Sequence, residues 1–127
     1  MPKAMVVDDS RTIRRILAAI LSDLGFEVCQ ADNGKVALET LARERATGSP
    51  ISLALVDWNM PEMNGLDFVK GLRADAENTG VIAVMVTTET ELDQMVTALE
   101  AGANEYVMKP FNKDVIQDKL RLLGVVQ

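Results

Sequence analysis

The sequence has no histidine and only one cysteine in its 127 residues. Without histidine, the chain offers neither imidazole catalysis nor the most common protein ligand of metal ions. Any bound metal ion must therefore be held by oxygen atoms. Cys29 has no partner for an internal disulfide, which fits a reducing cytoplasm, and we interpret it as a small buried apolar side chain on a strand.

The sequence also lacks a long apolar run and an excess of basic residues. No stretch approaches the roughly 20 apolar residues that a membrane-spanning helix needs, and the N-terminus does not have the pattern of a signal peptide. The net charge of −6 argues against nonspecific binding to nucleic acid, which needs a basic surface. We therefore expect one cytoplasmic domain over residues 1–127, with no membrane or nucleic-acid partner.

Short apolar runs alternate with helical periodicities five times along the chain. Strands are predicted at 4–7, 27–31, 53–56, 81–86 and 105–108, and helices at about 11–24, 35–46, 66–75, 91–101 and 114–123. This alternation predicts an α/β fold, in which helices cover both faces of a parallel sheet and the crossovers are right-handed.

Several finer expectations concern the helices. Ser10 is predicted to cap the first helix. Gly71 lies inside the third helix at a cost of about 1 kcal/mol relative to Ala, so we expect either a packing reason for it or a weak helix. Glu44 and Arg45 are predicted on a solvated helix face, and the last helix is predicted to bury one face made of Val115, Ile116, Leu120 and Leu123.

Four of the five apolar runs end on polar residues, namely Asp8 and Asp9, Asp57, Thr87 and Lys109. In open parallel sheets, ligands bind outside the carboxyl ends of the strands, so we expect these side chains to form one site. Carboxylates about 4 Å apart repel by about 4 kcal/mol per pair at an effective dielectric near 20. Protonation or a cation must relieve that repulsion, and an all-oxygen acidic site favours Mg²⁺, with Mn²⁺ as the alternative.

A carboxylate, a divalent cation, an ammonium group and a hydroxyl suit phosphoryl transfer, in which positioning and charge neutralisation supply most of the catalysis. Asp57 would then be the nucleophile and would form an aspartyl phosphate.

These features make the chain resemble the response-regulator receiver domains, most of all the CheY-like stand-alone chemotaxis regulators, over essentially its whole length. The motifs that carry the resemblance are Val7-Asp8-Asp9-Ser10, Val56-Asp57-Trp58-Asn59-Met60-Pro61, Asn64-Gly65, Val86-Thr87, Ala101-Gly102-Ala103, Tyr106 and Lys109-Pro110-Phe111. The resemblance implies a flavodoxin-like (βα)5 three-layer sandwich, with the strand order 2-1-3-4-5 known from flavodoxin and CheY.

The resemblance also implies a two-component phosphoacceptor site. Asp57 would receive a phosphoryl group from the phosphohistidine of a histidine kinase or phosphotransfer protein, which fits a chain without histidine of its own. Asp9, Asp57 and the backbone carbonyl of Asn59 would ligate Mg²⁺, while Asp8 would act through water. The chain would slowly lose its own phosphoryl group and would not turn over external substrates.

The resemblance assigns further residues to the response. Lys109 would contact the phosphoryl group and would precede a cis peptide bond to Pro110. Thr87 would hydrogen-bond a phosphoryl oxygen, and Tyr106 would turn from an exposed to a buried position. The face formed by the fourth helix, fifth strand and fifth helix would then bind a downstream protein, with the flagellar motor switch as one candidate. We expect the protein to be a monomer.

Three other functions stay open from the sequence. A phosphorelay shuttle would use the same acceptor site. An aspartate-nucleophile phosphatase of the haloacid-dehalogenase type also combines Asp, Thr, Lys and Mg²⁺, but its second catalytic Asp is replaced here by Asn59, which cannot transfer a proton. A flavodoxin-like cofactor binder would need a phosphate-binding loop after the first strand, and the sequence has none there.

The fourth helix departs from the pattern of the best-studied chemotaxis regulators. It begins with the acidic segment Glu91-Leu92-Asp93, where those regulators carry lysines that help to bind the motor switch, although Lys119 is present. The identity of the downstream partner therefore stays open.

Three residues are expected to set the lifetime of the aspartyl phosphate, namely Asn59, Thr88 and Glu89. In the family, the position of Thr88 is often Ala or Gly, which gives water access to the phosphoryl group. We therefore predict that Thr88→Ala shortens the lifetime of the phosphorylated protein severalfold, as measured by the decay of the phosphorylated form. An unchanged lifetime would refute the role given to Thr88.

Overall fold

The computed structural model describes residues 2–88 and 92–126. Within these ranges, five strands alternate with five α-helices, and a short 3₁₀ helix, η1, follows the third α-helix. The elements are β1 (Lys3–Val7), α1 (Arg11–Asp23), β2 (Glu27–Ala31), α2 (Gly34–Ala46), β3 (Leu53–Val56), α3 (Gly65–Ala74), η1 (Ala76–Asn78), β4 (Ile82–Thr87), α4 (Leu92–Ala101), β5 (Glu105–Met108) and α5 (Lys113–Leu122). The predicted α/β alternation is confirmed, and only η1 was not predicted.

The strands form one parallel sheet in the order β2-β1-β3-β4-β5. The order implied by the family resemblance is therefore confirmed. The chain moves outward from β1 to β2 and then returns to place β3 on the other side of β1. The carboxyl ends of β1 and β3 therefore lie side by side at the point where the strand order reverses. Open α/β sheets bind ligands at this point.

Side chains on the two faces of the sheet belong to two separate core clusters. Along β1, Ala4 and Val6 lie in one cluster, whereas Met5 and Val7 lie in the other. Helices α1 and α5 cover the first face, and α2, α3 and α4 cover the second. Because both faces of the sheet interior are buried, β1, β3 and β4 are mainly apolar, as is typical of parallel sheets. The edge strand β2 differs, since its Glu27 and Gln30 are exposed.

Polar side chains fix the starts of four α-helices. The Ser10 hydroxyl accepts a hydrogen bond from the backbone N–H of Ile13, so its predicted capping role is confirmed. Asn33, Asn64 and Asn112 cap α2, α3 and α5 in the same way. These three helices begin one residue earlier than predicted, because the asparagine caps set their first residues.

The fourth strand and helix also differ slightly from the prediction. The strand β4 runs one residue further than predicted, so Thr87 is its last residue and not the first residue after it. The predicted start of the fourth helix at Glu91 lies outside the described residues.

The packing reason expected for Gly71 is present. A Cβ atom at position 71 would lie 3.0 Å from Cδ1 of Leu38. Helices α2 and α3 therefore approach each other closely at this point, and a glycine inside α3 permits the approach.

The prediction of a solvated face at Glu44 and Arg45 was wrong. Glu44 pairs with the ammonium group of Lys3 at 3.6 Å. Arg45 donates to the side-chain oxygen of Asn78 at 2.8 Å and pairs with Asp75 at 3.4 Å. Lys3 is the first residue of β1, Asn78 lies on the unpredicted helix η1, and Asp75 caps the start of η1. The local sequence pattern of α2 could not indicate these distant partners.

The predicted buried face of α5 is only partly correct. Ile116 and Leu120 are buried, but Val115 is 40% exposed.

No helix in the described part of the chain is long and apolar enough to cross a membrane.

Gly65, the first residue of α3, connects the fold to the end of β3. Its N–H donates to the carbonyl of Trp58 at 2.8 Å, and a Cβ atom here would overlap the backbone carbonyl oxygen of Asp57. Since a backbone atom cannot move aside as a side chain can, we predict that Gly65→Ala lowers the free energy of unfolding by about 1–3 kcal/mol. Urea denaturation measures this change.

Gly80 provides the matched control for that substitution. A Cβ atom at Gly80 would meet nothing within 4 Å, so Gly80→Ala is expected to change stability by no more than about 0.5 kcal/mol. Equal effects of the two substitutions would contradict the close approach at Gly65.

Candidate functional site

Backbone hydrogen bonds hold three of the polar residues at the strand ends. The N–H of Asp8 donates to the last carbonyl of β2 at 3.1 Å, and the N–H of Asp57 donates to the last carbonyl of β1 at 2.8 Å. The N–H of Lys109 donates to the last carbonyl of β4 at 2.8 Å. Each residue thus extends the hydrogen-bond ladder of the sheet by one step, so its backbone is placed by a rigid element.

Three carboxylates meet at this edge, as predicted. Asp8, Asp9 and Asp57 each offer one oxygen atom, and these atoms all lie within 4.8 Å of one another. Asp8 is 1% exposed and Asp57 is 9% exposed, whereas Asp9 is open to solvent. The cluster therefore has a buried side and one accessible carboxylate.

The ammonium group of Lys109 lies between the two buried carboxylates. Its Nζ atom is 3.0 Å from Oδ2 of Asp8 and 3.4 Å from Oδ1 of Asp57. The other carboxylate oxygen of Asp8 accepts a hydrogen bond from the backbone N–H of Ser10 at 2.9 Å. Each carboxylate oxygen of Asp8 therefore has a partner, and the single ammonium group of Lys109 pairs with both Asp8 and Asp57.

The surroundings of Asp57 disfavour its ionised form. Burial raises the pKa of the Asp57 carboxyl above its usual value, and the nearby charge of Asp8 raises it further. The charge and hydrogen bond of Lys109 act in the opposite direction but do not cancel the rise in this pKa. One ammonium group is thus too little positive charge for this site, and an additional cation would relieve the repulsion.

The carboxylate cluster fits a small divalent cation. All its donors are oxygen atoms, which Mg²⁺ prefers, and the ligands of Mg²⁺ at about 2.1 Å stand about 3 to 4 Å apart. The 4.8 Å limit on the three oxygen atoms is close to that spacing. Asp9 also lines an open cavity of about 530 Å³ together with Asn59, Met60, Pro61 and Asn64, which leaves room for water ligands.

The remaining predicted site residues lie at the same edge or close to it. Thr87 is fully buried at the end of β4, and Asn59 is exposed in the loop after β3. The peptide bond between Lys109 and Pro110 is cis, as the resemblance implied. The exposed starting position that the resemblance implied for Tyr106 is not observed. Its side chain is buried, with 7% of its surface exposed, because it packs in the core cluster beneath α2, α3 and α4.

Of the two residues after β4 that are predicted to control phosphate lifetime, the structure describes only Thr88. Thr88 is exposed and lines a mainly apolar groove with Lys109, Pro110 and Phe111. Glu89 lies outside the described residues.

Two contacts at the site could not be predicted from the sequence. The guanidinium group of Arg14 donates to the backbone carbonyl of Asp8 at 2.8 Å, and Gly65 packs directly against the backbone of Asp57. Nothing in the sequence singles out Arg14 among the basic residues of α1. The Asn64-Gly65 pair was noted, but its contact depends on how α3 leaves the loop.

Comparison with known proteins gives the same family throughout. Residues 4–121 match the family described as Response regulator receiver domain. The chain is 44% identical over 122 residues to chemotaxis protein CheY1 of Helicobacter pylori, with 95% of each chain covered. It is 42% identical over 119 residues to the chemotaxis protein CheY homolog of Campylobacter jejuni, with 93% of this chain and 88% of that one covered.

Solved structures have the same architecture. The Vibrio cholerae chemotaxis protein CheY4 superposes with a TM-score of 0.83 at 33% sequence identity, over 96% of this chain and 98% of that one. A receiver domain protein (CheY-like) from Methanospirillum hungatei superposes with a TM-score of 0.82 at 28% identity, over 97% of this chain and 93% of that one.

The raised pKa of Asp57 predicts a pH-dependent loss of stability in the metal-free protein. Below about pH 3.9 the folded and unfolded states both hold the proton, so Asp57 costs nothing there. As pH rises through the higher folded-state pKa, the folded state bears the cost of the buried charge and stability falls. We predict that Asp57→Asn removes this cost and raises Tm at pH 7 by a few degrees, equivalent to about 1 kcal/mol.

Thermal unfolding in the presence of a chelator between pH 4 and pH 8 measures this difference. The difference in Tm between Asp57→Asn and the unmodified protein should become smaller toward pH 4. The exposed Asp118 on α5 provides the matched control, since Asp118→Asn removes one carboxylate without touching the site. A destabilised Asp57→Asn protein at pH 7 would show that the ion pair with Lys109 outweighs the cost of burial.

Proposed function

This chain belongs to the response regulator receiver domain family, and we propose that it is a two-component signalling protein that accepts a phosphoryl group on Asp57. The observation that carries the proposal is the setting of that carboxylate. It is 9% exposed at the end of a central strand, beside two other carboxylates and 3.4 Å from an ammonium group. We propose the receiver domain for residues 1–127, of which 4–121 match the family.

The chemistry that we propose is a transfer between a phosphohistidine and a carboxylate. A carboxylate oxygen of Asp57 forms a bond to phosphorus, and the bond between phosphorus and the donor's imidazole nitrogen breaks. The imidazole keeps the electron pair of that bond and takes up a proton. A histidine kinase or phosphotransfer protein must supply the phosphohistidine, because this chain has no histidine.

Each residue of the cluster has a role in that transfer. Asp9, Asp57 and the backbone carbonyl of Asn59 would hold Mg²⁺, with Asp8 acting through water, and Mn²⁺ could replace it. When bound, the metal ion would neutralise charge on the phosphoryl oxygens. Lys109 would contact the phosphoryl group and offset its negative charge, since its Nζ atom already lies 3.4 Å from Oδ1 of Asp57.

The response to phosphorylation would begin at Thr87. We propose that its hydroxyl bonds to a phosphoryl oxygen and that Tyr106, which is already buried in this structure, keeps its inward position in the phosphorylated form. The face made of α4, β5 and α5 would then change its affinity for a downstream protein. This face carries exposed apolar side chains, with Val96 and Leu99 on α4 at 41% and 45% exposure, which suit a protein partner.

The biological setting that we propose is chemotaxis in the cytoplasm. The relatives that cover almost the whole chain are chemotaxis proteins, and the flagellar motor switch is the corresponding candidate partner. Lys119 lies on the proposed face and pairs with Glu105 at 3.5 Å, while the exposed Asp93 adds negative charge near the start of α4. A phosphorelay shuttle is the alternative within the same family.

Trp58 makes the proposed phosphorylation directly observable. It is the only tryptophan, it follows Asp57, and its side chain packs against the core beside the site. We predict that its fluorescence changes on addition of Mg²⁺ and changes again on addition of acetyl phosphate, with the mass of one phosphoryl group added to the protein. Asp57→Asn should abolish the second change and the mass increase.

Asp118→Asn, which removes an exposed carboxylate on α5, is the matched control and should keep both responses. Phosphorylation that persists in Asp57→Asn would refute the acceptor assignment. Hydrolysis of small phosphate esters should be negligible, because Asn59 offers no acidic group at the position where phosphatases of this kind use one. Rapid turnover of such esters would instead support an enzyme.

A further inference from the structure

The carboxylate of Asp9 is placed by its backbone alone. Within the part of the chain that the structure describes, no hydrogen bond or ion pair holds its side chain. Its neighbour Asp8 is held on both carboxylate oxygens, by Ser10 and Lys109. The exposed carboxylate can therefore stay near Asp57 only if the turn between β1 and α1 is itself fixed.

One side chain fixes that turn from outside the carboxylate cluster. The Nη1 atom of Arg14 donates to the backbone carbonyl of Asp8 at 2.8 Å. That carbonyl and the N–H of Asp9 belong to the same planar peptide unit. A hydrogen bond to the carbonyl therefore restricts the position of the Asp9 Cα atom and the direction in which its side chain leaves the backbone.

Arg14 is itself braced against the sheet. Its Nε atom donates to the side-chain oxygen of Gln30 at 3.3 Å, and Gln30 lies on β2 opposite Val6 of β1. A half-buried guanidinium group on α1 thus joins strand β2 to the turn that carries the metal-binding carboxylates.

We infer that Arg14 is a positioning residue for the proposed metal site, acting through the peptide unit between Asp8 and Asp9. This inference rests on the proposed function, since it assigns a role in Mg²⁺ binding. Residues outside the ligand shell that orient metal ligands typically contribute about 10- to 100-fold to metal affinity.

Positioning and simple electrostatics predict opposite effects of removing this arginine. A positive charge near a cation site repels the cation, so its removal by Arg14→Gln should strengthen Mg²⁺ binding if charge alone matters. If Arg14 holds the turn in place, the same substitution should weaken binding, because the Asp9 carboxylate loses its fixed position.

The neighbouring Arg15 gives a charge-matched control. It is exposed on the same helix, and no hydrogen bond or ion pair involves it among the described residues. Arg15→Gln removes one positive charge from the same region without touching the turn. It therefore reports the effect of charge alone.

The experiment is a titration with Mg²⁺ monitored by Trp58 fluorescence, with thermal unfolding of each metal-free variant alongside. We expect Arg14→Gln to raise the Kd for Mg²⁺ about tenfold and Arg15→Gln to leave it unchanged or lower it slightly. In the metal-free protein, the amide proton of Ser10, which donates to Asp8, should exchange faster with solvent in Arg14→Gln than in Arg15→Gln.

Arg14→Gln that binds Mg²⁺ as tightly as the unmodified protein, or more tightly, would overturn the inference. A second variant, Gln30→Ala, removes only the brace of Arg14 and should weaken binding by a smaller factor in the same direction. If the unmodified protein shows no response to Mg²⁺, the proposed metal site is wrong. The exchange rate of the Ser10 amide then still tests the role of Arg14 in the turn, since faster exchange in Arg14→Gln than in Arg15→Gln would support that role and equal rates would refute it.

Discussion

The contact of one ammonium group with two buried carboxylates is the interaction on which this site depends. Lys109 lies within 3.4 Å of both Asp8 and Asp57, and these three residues come from the ends of three different strands. Burial raises the pKa of Asp57, the charge of Asp8 raises it further, and the single ammonium group of Lys109 does not cancel this rise. A site with this excess of negative charge favours the binding of a cation, which would lower the free-energy cost of ionising Asp57.

The sheet holds these charged residues in place despite their mutual repulsion. The residue after each of three strands continues the backbone ladder by one hydrogen bond, so the carboxylates cannot simply move apart to lower their repulsion. Gly65 adds a second constraint, because its missing side chain allows α3 to begin against the backbone of Asp57. Open α/β sheets bind ligands at the carboxyl ends of their strands, and a rigid edge that holds carboxylates together there suits a cation.

Arginine side chains contribute more to this fold than their surface-like sequence pattern indicates. Arg73 donates to the backbone carbonyls of Gly102 at 2.9 Å and Val81 at 2.7 Å, which ties α3 to the loop after α4 and to the segment before β4. Arg45 ties α2 to η1. The acceptors of Arg73 and Arg45 belong to segments before β4 or after a helix, away from the carboxylates. Arg14 differs, because it holds the turn that carries two of the carboxylates.

The sequence by itself determined the order of the elements, the apolar strands and the polar residues at their ends, because periodicity and turn residues act locally. It therefore identified Asp8, Asp9, Asp57, Thr87 and Lys109 as one group, and the family resemblance supplied the strand order. Only the tertiary structure decided that Lys109 is closer to Asp8 than to Asp57, that Gly65 packs on a backbone carbonyl, and that Arg14 and Arg45 have partners. Those contacts join residues far apart in sequence or depend on side-chain direction, and local patterns carry no information about either.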